Sequence, residues 1–203
     1  MSATMSTEHE ALDEAAIARL FTEARTHGQF DPKPLPVALL QRMYELASLG
    51  PTSMNCQPAR FVFVTSEARR KHLLPHVAAG NQAKVRSAPV TVIVARDTRF
   101  YEWMPALWHA PEARENFERQ PSLAHATSVR NATLTGAYLI VAARAMGLAC
   151  GPMSGFDAEG VNRSFFSDGR WQVDFLINLG YPAGPPGRPR GSRLGFSQAC
   201  VIA

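Results

Sequence analysis

Five short stretches of this 203-residue chain carry groups suited to holding a polar, charged molecule. "ARTH" (24–27) sets a cation, a hydroxyl and an imidazole in consecutive positions at Arg25, Thr26 and His27. Such donors suit a phosphate or the polar edge of a heterocycle. They equally suit a plain helix C-terminus, where Arg and His answer the dipole. "GPTSMNCQPARF" (50–61) alternates small hydroxyl and amide residues. Thr52, Ser53, Asn55 and Gln57 make a neutral donor surface there, although turn chemistry alone also accounts for such a run. "GNQAKV" (80–85) puts Asn81 and Lys84 three residues apart, so that on a helix they share a face. "GPMSGFD" (151–157) offers mostly bare backbone: the N–H groups of Ser154 and Gly155 follow Pro152 and Met153, and Asp157 can cap the next helix. The basic "GRPRGSR" (187–193) supplies Arg190 and Arg193 as a clamp for a phosphate.

Other chemistries lack their signatures. There is no GxGxxG after a strand, no Walker loop and no GxSxG elbow. The six histidines form no compact metal-binding set; His72 and His76 are four apart but have no third ligand nearby, so no metal is expected. An odd count of three scattered cysteines, Cys56, Cys150 and Cys200, points to buried free thiols rather than disulfides or a zinc site. The net charge of +4 comes from dispersed basic residues, without a zinc finger, helix-turn-helix or RNP signature, so nucleic acid is not an expected partner. No apolar run approaches the ~18 residues of a membrane span. The polar, acidic opening "MSATMSTEHEALDEAA" reads as neither signal nor transit peptide, so a cytoplasmic protein is expected.

The pattern of elements reads as one domain over 1–203, with a loose leader at 1–9 and a Pro/Gly/Arg-rich tail at 182–203. Apolar spacing predicts helices over about 10–27 and from about Pro36 to Gly50. "RFVFVT" (60–65), "APVTVIVARD" (88–97) and "DFLINLG" (174–180) read as strands, and 151–157 reads as a loop. The longest helix spans about Ser122–Gly147, with Leu134, Ala137, Val141, Ala145 and Leu148 as its core-facing stripe. Residues 98–121, with two tryptophans, His109 and three prolines, look like an inserted lid. Helices outnumber strands without alternating, which predicts an α+β fold with long helices around a small, mostly antiparallel sheet.

In order and spacing, "ART", "GPTSMNCQP", "NQAK", "GPMSGFD" and "RGSRL" resemble the nitroreductase family of FMN-dependent oxidoreductases over nearly the whole chain. "PTSMNCQPARFVFV" is similar to the family's P-[ST]-S-x-N-x-Q-P segment, and "PMSGFD" to its P-x-x-G-F-D loop. Together with "TEARTH", "APVTVIVA" and "FYE", these stretches resemble the malonic semialdehyde reductases (3-hydroxypropionate dehydrogenases) of that family.

The resemblance implies an intertwined homodimer, with FMN as cofactor and NADH or NADPH as co-substrate. It assigns Arg25, Thr26 and His27 to the flavin's phosphate–ribityl chain and pyrimidine edge, and Asn81 and Lys84 to the ring's polar edge. Pro152, Met153, Ser154 and Gly155 would line the ring, Arg190 and Arg193 would bind the phosphate, and Thr52, Ser53, Asn55 and Gln57 would reach the flavin of the other subunit. Hydride would pass through the flavin's N5 in a ping-pong cycle with no catalytic side chain, and the acceptor would be malonic semialdehyde. A broad nitro- or quinone reductase and a non-catalytic flavin-binding module are the alternatives. Many family members carry serine at the position of His27 and glutamate at that of Ser154, which bears on acceptor choice more than on the cofactor.

Overall fold

The computed structural model describes residues 11–110, 112–187 and 189–203; the leader expected at 1–9 lies outside them. Four strands form one antiparallel sheet in the order β1-β2-β4-β3: β1 (Ala59–Val64), β2 (Val90–Asp97), β3 (Ala149–Met153) and β4 (Trp171–Gly180). β2 is a β-branched run buried on both faces, which suits a central strand. Its pairing with β4 slips at Val94/Ala95, where Asp174 is the extra residue of a bulge.

Helices cover both faces. On one side α2 (Val37–Ser48) and α7 (Pro121–Ala145) bury Leu40, Met43, Leu139 and Ala143 against Val90, Val92, Val94, Ile177 and Leu179. On the other, α3 (Glu67–Leu73), α4 (Ala79–Ser87) and α8 (Ala158–Phe165) bring Leu73, Val85 and Val161 onto Ile93, Ala95 and Leu176. The segment 98–121 folds into α5 (Met104–Leu107) and α6 (Ala113–Arg119). It has its own cluster, in which Phe100, Met104, Ala113 and Phe117 enclose Cys56 and Ala124. The first helix is short: α1 (Glu14–Ile17), capped by Asp13, continues as a π-helical turn over Ala18–Thr22. The tail adds a single turn, α9 (Phe196–Ala199). The α+β architecture with a small antiparallel sheet is as the sequence predicts.

Three expectations are corrected. The stretch 151–157 is not all loop, because 149–153 is the edge strand β3. Gly and Pro are poor strand formers, so composition hides it; it exists because β4 offers an unpaired edge. The stripe expected to face the core on α7 faces outward: Leu134, Ala137 and Ala145 are exposed and Val141 is half-buried, Leu148 alone lying in the core. The buried face is the small one, including Ala124, Ser128, Ala132, Gly136 and Ala143, because the helix lies tight on the sheet. A Cβ on Gly136 would sit 2.6 Å from the Phe175 ring. Finally, Cys56 and Cys150 are buried, but Cys200 is exposed.

Because Gly136 has no room for a side chain, Gly136→Val is expected to lose about 1–3 kcal/mol of stability through overpacking. Urea unfolding followed by circular dichroism measures it, and a wild-type midpoint would show that α7 is free to move off the sheet.

Candidate functional site

The site is built where the first segment of the chain meets the sheet edge. The His27 N–H donates to the Cys150 carbonyl at 2.9 Å, and Thr26 bridges Cys150 in parallel, so residues 24–27 lie alongside β3. This approach needs a glycine at 151, where a Cβ would come within 2.5 Å of the His27 carbonyl oxygen. Just upstream, the π-helical turn exposes its last carbonyls, and three arginines gather there. Arg25 Nη1 donates to Thr22 and Ala24 at 3.0 and 2.9 Å, and Arg144 Nη1 to Leu20 at 3.1 Å. Arg190 Nη2 donates to Phe21, Thr22 and Ala24 at 2.7, 2.9 and 2.9 Å. Cations belong at such a carbonyl-rich end. "ARTH" therefore does answer a helix terminus, and the same geometry holds its donors in place for a ligand.

Beside this knot lies a cavity of about 700 Å³, within the range of cofactor sites. Arg25, Thr26, His27, Lys84, Arg190 and Arg193 all line it. Arg144 joins Arg25, Arg190 and Arg193 there, and none of the four forms an ion pair with a carboxylate among the described residues. Desolvation, followed by repulsion from Arg25, Arg193 and Arg144, lowers the Arg190 pKa. Four guanidiniums without a counter-charge suit a dianion such as a phosphate monoester. Partial burial holds His27 below its usual pKa, so at neutral pH the ring is uncharged and offers one donor and one acceptor.

Asn81, Pro152, Met153, Ser154 and Gly155 do not line this cavity; hydrogen bonds through α4 link them to Lys84 on its wall. Asn81 and Lys84 do share a helical face, with Lys84 Nζ donating to Asn81 Oδ1 at 3.0 Å. Asn81 Nδ2 donates in turn to the Gly155 carbonyl at 3.3 Å, and the Ala78 N–H reaches the same oxygen at 3.0 Å. Pro152 and Met153 end β3, and the Ser154 and Gly155 N–H groups have no protein acceptor among the described residues. Asp157 caps α8 as expected, accepting from Gly160 N–H at 3.1 Å.

Thr52, Ser53, Asn55 and Gln57 do not reach the large cavity within one chain. Their loop packs under 98–121: Asn55 Nδ2 donates to the Leu107 carbonyl at 3.1 Å, and Gln57 Nε2 to Asn55 Oδ1 at 2.8 Å. The Ser53 N–H donates to Asn131 Oδ1 at 2.8 Å, and Thr52 Oγ1 accepts from Gln57 N–H. Met54, Asn55 and Gln57 all have positive φ, at 52°, 51° and 40°. Such backbone strain persists only where the surrounding contacts hold it.

The residue-by-residue reading missed Arg144. It interrupts the apolar "IVAARAMG", and an arginine there is a surface residue until the π-helical turn is known to lie over it. Burial pushes the Cys56 thiol up to about 11 and Cys150 up to about 12, so neither is a thiolate at neutral pH. Among the described residues no group of three or more His, Cys, Asp or Glu is placed to hold a metal, and no helix is long and apolar enough to cross a membrane.

Comparison with known proteins agrees with this geometry. Residues 22–181 match the model of the nitroreductase family. A relative from Ralstonia nicotianae, named "Putative NADH dehydrogenase/NAD(P)H nitroreductase", is 47% identical over 191 residues, covering 94% of this chain and 98% of the relative. A relative of the same name from Stutzerimonas stutzeri is 47% identical over 195 residues, covering 96% and 100%. Among solved structures, a Bacillus subtilis nitroreductase-type protein superposes with a TM-score of 0.81 at 26% identity, over 94% of this chain and 100% of that one. One from Exiguobacterium sibiricum, solved in complex with FMN, gives 0.84 at 20% identity over 95% and 98%. The sheet, the convergent cavity and these matches lead to one conclusion: the chain belongs to the nitroreductase family.

Proposed function

We propose that the chain is an FMN-dependent NAD(P)H oxidoreductase and that the 700 Å³ cavity receives the riboflavin phosphate. The observation that carries this reading is the convergence of Arg25, Thr26, His27, Lys84, Arg190 and Arg193, from three separate stretches of sequence, on that one cavity. The E. sibiricum neighbour binds FMN, and the relatives' names include NAD(P)H. When bound, the flavin supplies the hydride-transfer chemistry, which no side chain of the protein offers.

The chain's own residues bind and orient. Arg25, Arg190 and Arg193 take the phosphate, with Arg144 adding a fourth positive charge. Thr26 and neutral His27 supply uncharged hydrogen bonds to the ribityl chain and the ring's edge. Lys84, tethered by Asn81, is a positioned cation that favours negative charge developing on a reduced heterocycle. The free N–H groups of Ser154 and Gly155, beside Pro152 and Met153, offer backbone donors along the ring, which is the use of a segment almost without functional side chains.

The site is completed by a second copy of the chain. Thr52, Ser53, Asn55 and Gln57 lie outside their own chain's cavity and become flavin-contacting residues only across a two-fold axis. The surface supports this reading: Leu49, Leu134 and Tyr138 are 79%, 45% and 42% exposed, and the tail leaves Leu194, Phe196, Val201 and Ile202 uncovered. Exposed apolar area on this scale suits an obligate, isologous dimer. The acceptor we propose is malonic semialdehyde. The relatives' names favour a nitro compound as the second reading.

Purified protein should be yellow, with bound FMN that bleaches anaerobically on adding NADH or NADPH; colourless protein that cannot be reconstituted ends the proposal. Arg193→Ala removes charged hydrogen bonds to the phosphate and should cost about 1.5–3 kcal/mol, roughly 10- to 150-fold in the FMN Kd by fluorescence titration. Leu134→Asp should convert a dimer in light scattering to a monomer that has also lost FMN affinity. A wild-type monomer that retains full affinity rules out the shared site. Steady-state kcat/KM on malonic semialdehyde against nitrofurazone, with each nicotinamide, decides the acceptor.

A further inference from the structure

A second cavity, of about 430 Å³, opens beneath the 98–121 segment and shares no lining residue with the large one. Arg96 on β2 and Gln172 on β4 line it, with Thr98, Tyr101 and Phe117 from the covering segment and His125 from the first turns of α7.

Arg96 is the unusual member. It is partly buried, and desolvation lowers its pKa. Yet it forms no ion pair with a carboxylate among the described residues. Its Nη1 donates to Ser128 Oγ at 3.2 Å and its Nη2 to Gln172 Oε1, both neutral acceptors. Of the two nearby acids, Asp174 hydrogen-bonds Thr133 Oγ1 at 2.6 Å and offsets part of the desolvation of Arg96 from a distance, without pairing with it, and Glu118, on the cavity wall, pairs with Arg114 at 2.9 Å. The neighbouring residue shows what this sheet does with a charge that is only structural. Asp97, 1% exposed, is met by Arg60 at 2.8 Å and by Arg170 at 3.2 Å. One strand thus holds, in adjacent positions, a buried charge in direct ion pairs and another that has only neutral hydrogen-bond partners, beside open space.

We propose that this cavity is a binding site for a small carboxylate, with Arg96 as the charge that recognises it. The guanidinium matches the planar, two-oxygen geometry of a carboxylate. Gln172, whose Oε1 is taken by Arg96, keeps its NH₂ group as a donor, and the Tyr101 hydroxyl and His125 ring add polar groups. The Phe117 and Tyr101 rings supply an apolar wall for a short carbon skeleton. The volume lies at the lower end of the range for small-molecule sites. The proposal is independent of the flavin reading.

Calorimetric titration of the full-length protein with malonate and with benzoate, at constant ionic strength, tests it. A saturable site is expected that weakens tenfold or more in Arg96→Gln, separate from any malonate taken by the arginines of the large cavity, with malonamide and benzamide failing to bind it. His125→Glu, at an exposed position that leaves the fold alone, should weaken carboxylate binding at least several-fold by placing a like charge at the rim. The ¹⁵N signal of Arg96 Nε should shift on titration. Arg193→Ala should leave all of this unchanged. Absence of saturable carboxylate binding, equal binding in Arg96→Gln, phosphate binding as well as malonate in the Arg193→Ala background, or loss in Arg193→Ala instead of Arg96→Gln would each overturn the assignment.

Discussion

One backbone hydrogen bond, from the His27 N–H to the Cys150 carbonyl, ties the first donor segment of the large cavity to the sheet. It lays residues 24–27 along the free edge of β3. That brings Arg25 and His27 to the cavity wall, while Asn81 holds the Gly155 carbonyl just beyond the strand end. The contact is possible only because Gly151 has no side chain. The edge is also protected, since a β-strand with unpaired N–H and C=O groups is an invitation to another chain. The same contact therefore covers the β3 edge and aligns the donors of the cavity.

Much of this was legible in the residue order. The central strand β2 shows itself as a β-branched run, and Asn81 and Lys84 announce a shared face by their spacing. What spacing could not reveal follows from two physical effects. In "GPM" the strand is imposed by a partner edge, against local propensity, so Gly and Pro mislead. On α7 the hydrophobic pattern is real but points away from the sheet. Close packing demands small residues, and Ala, Ser and Gly leave little trace on a hydrophobicity count. Arg144 was invisible for a third reason: its partner is a main-chain carbonyl more than a hundred residues away, on a turn whose π-helical geometry no side chain predicts.

Charge is handled in contrasting ways across the molecule. At the end of β2, Asp97 sits between Arg60 and Arg170, and Arg170 also reaches Glu102 at 2.8 Å, tying the start of the covering segment to the sheet. Removing one partner of such a buried set leaves an uncompensated charge, so it fixes geometry more than it adds net stability. Around the large cavity the arginines lean on main-chain oxygens instead, which hold them in place without neutralising them. Partial negative charges of carbonyls are enough to orient a guanidinium and too weak to cancel it. A dianion entering that space meets cations already aimed.

The left-handed run at Met54, Asn55 and Gln57 has a cost and a reason at each position. Glycine would relieve roughly 1–2 kcal/mol of steric strain at Met54 and at Gln57, and less at Asn55, a residue type that tolerates this region. Yet Met54 packs against the cluster around Phe100, Asn55 holds the Leu107 carbonyl, and Gln57 holds Asn55. Heat resistance and loop precision are therefore set against each other here. Laboratory selection for thermotolerance alone would drift toward glycine at these three sites, and the hardier variants that emerged would carry a slack joint between the loop and the segment above it.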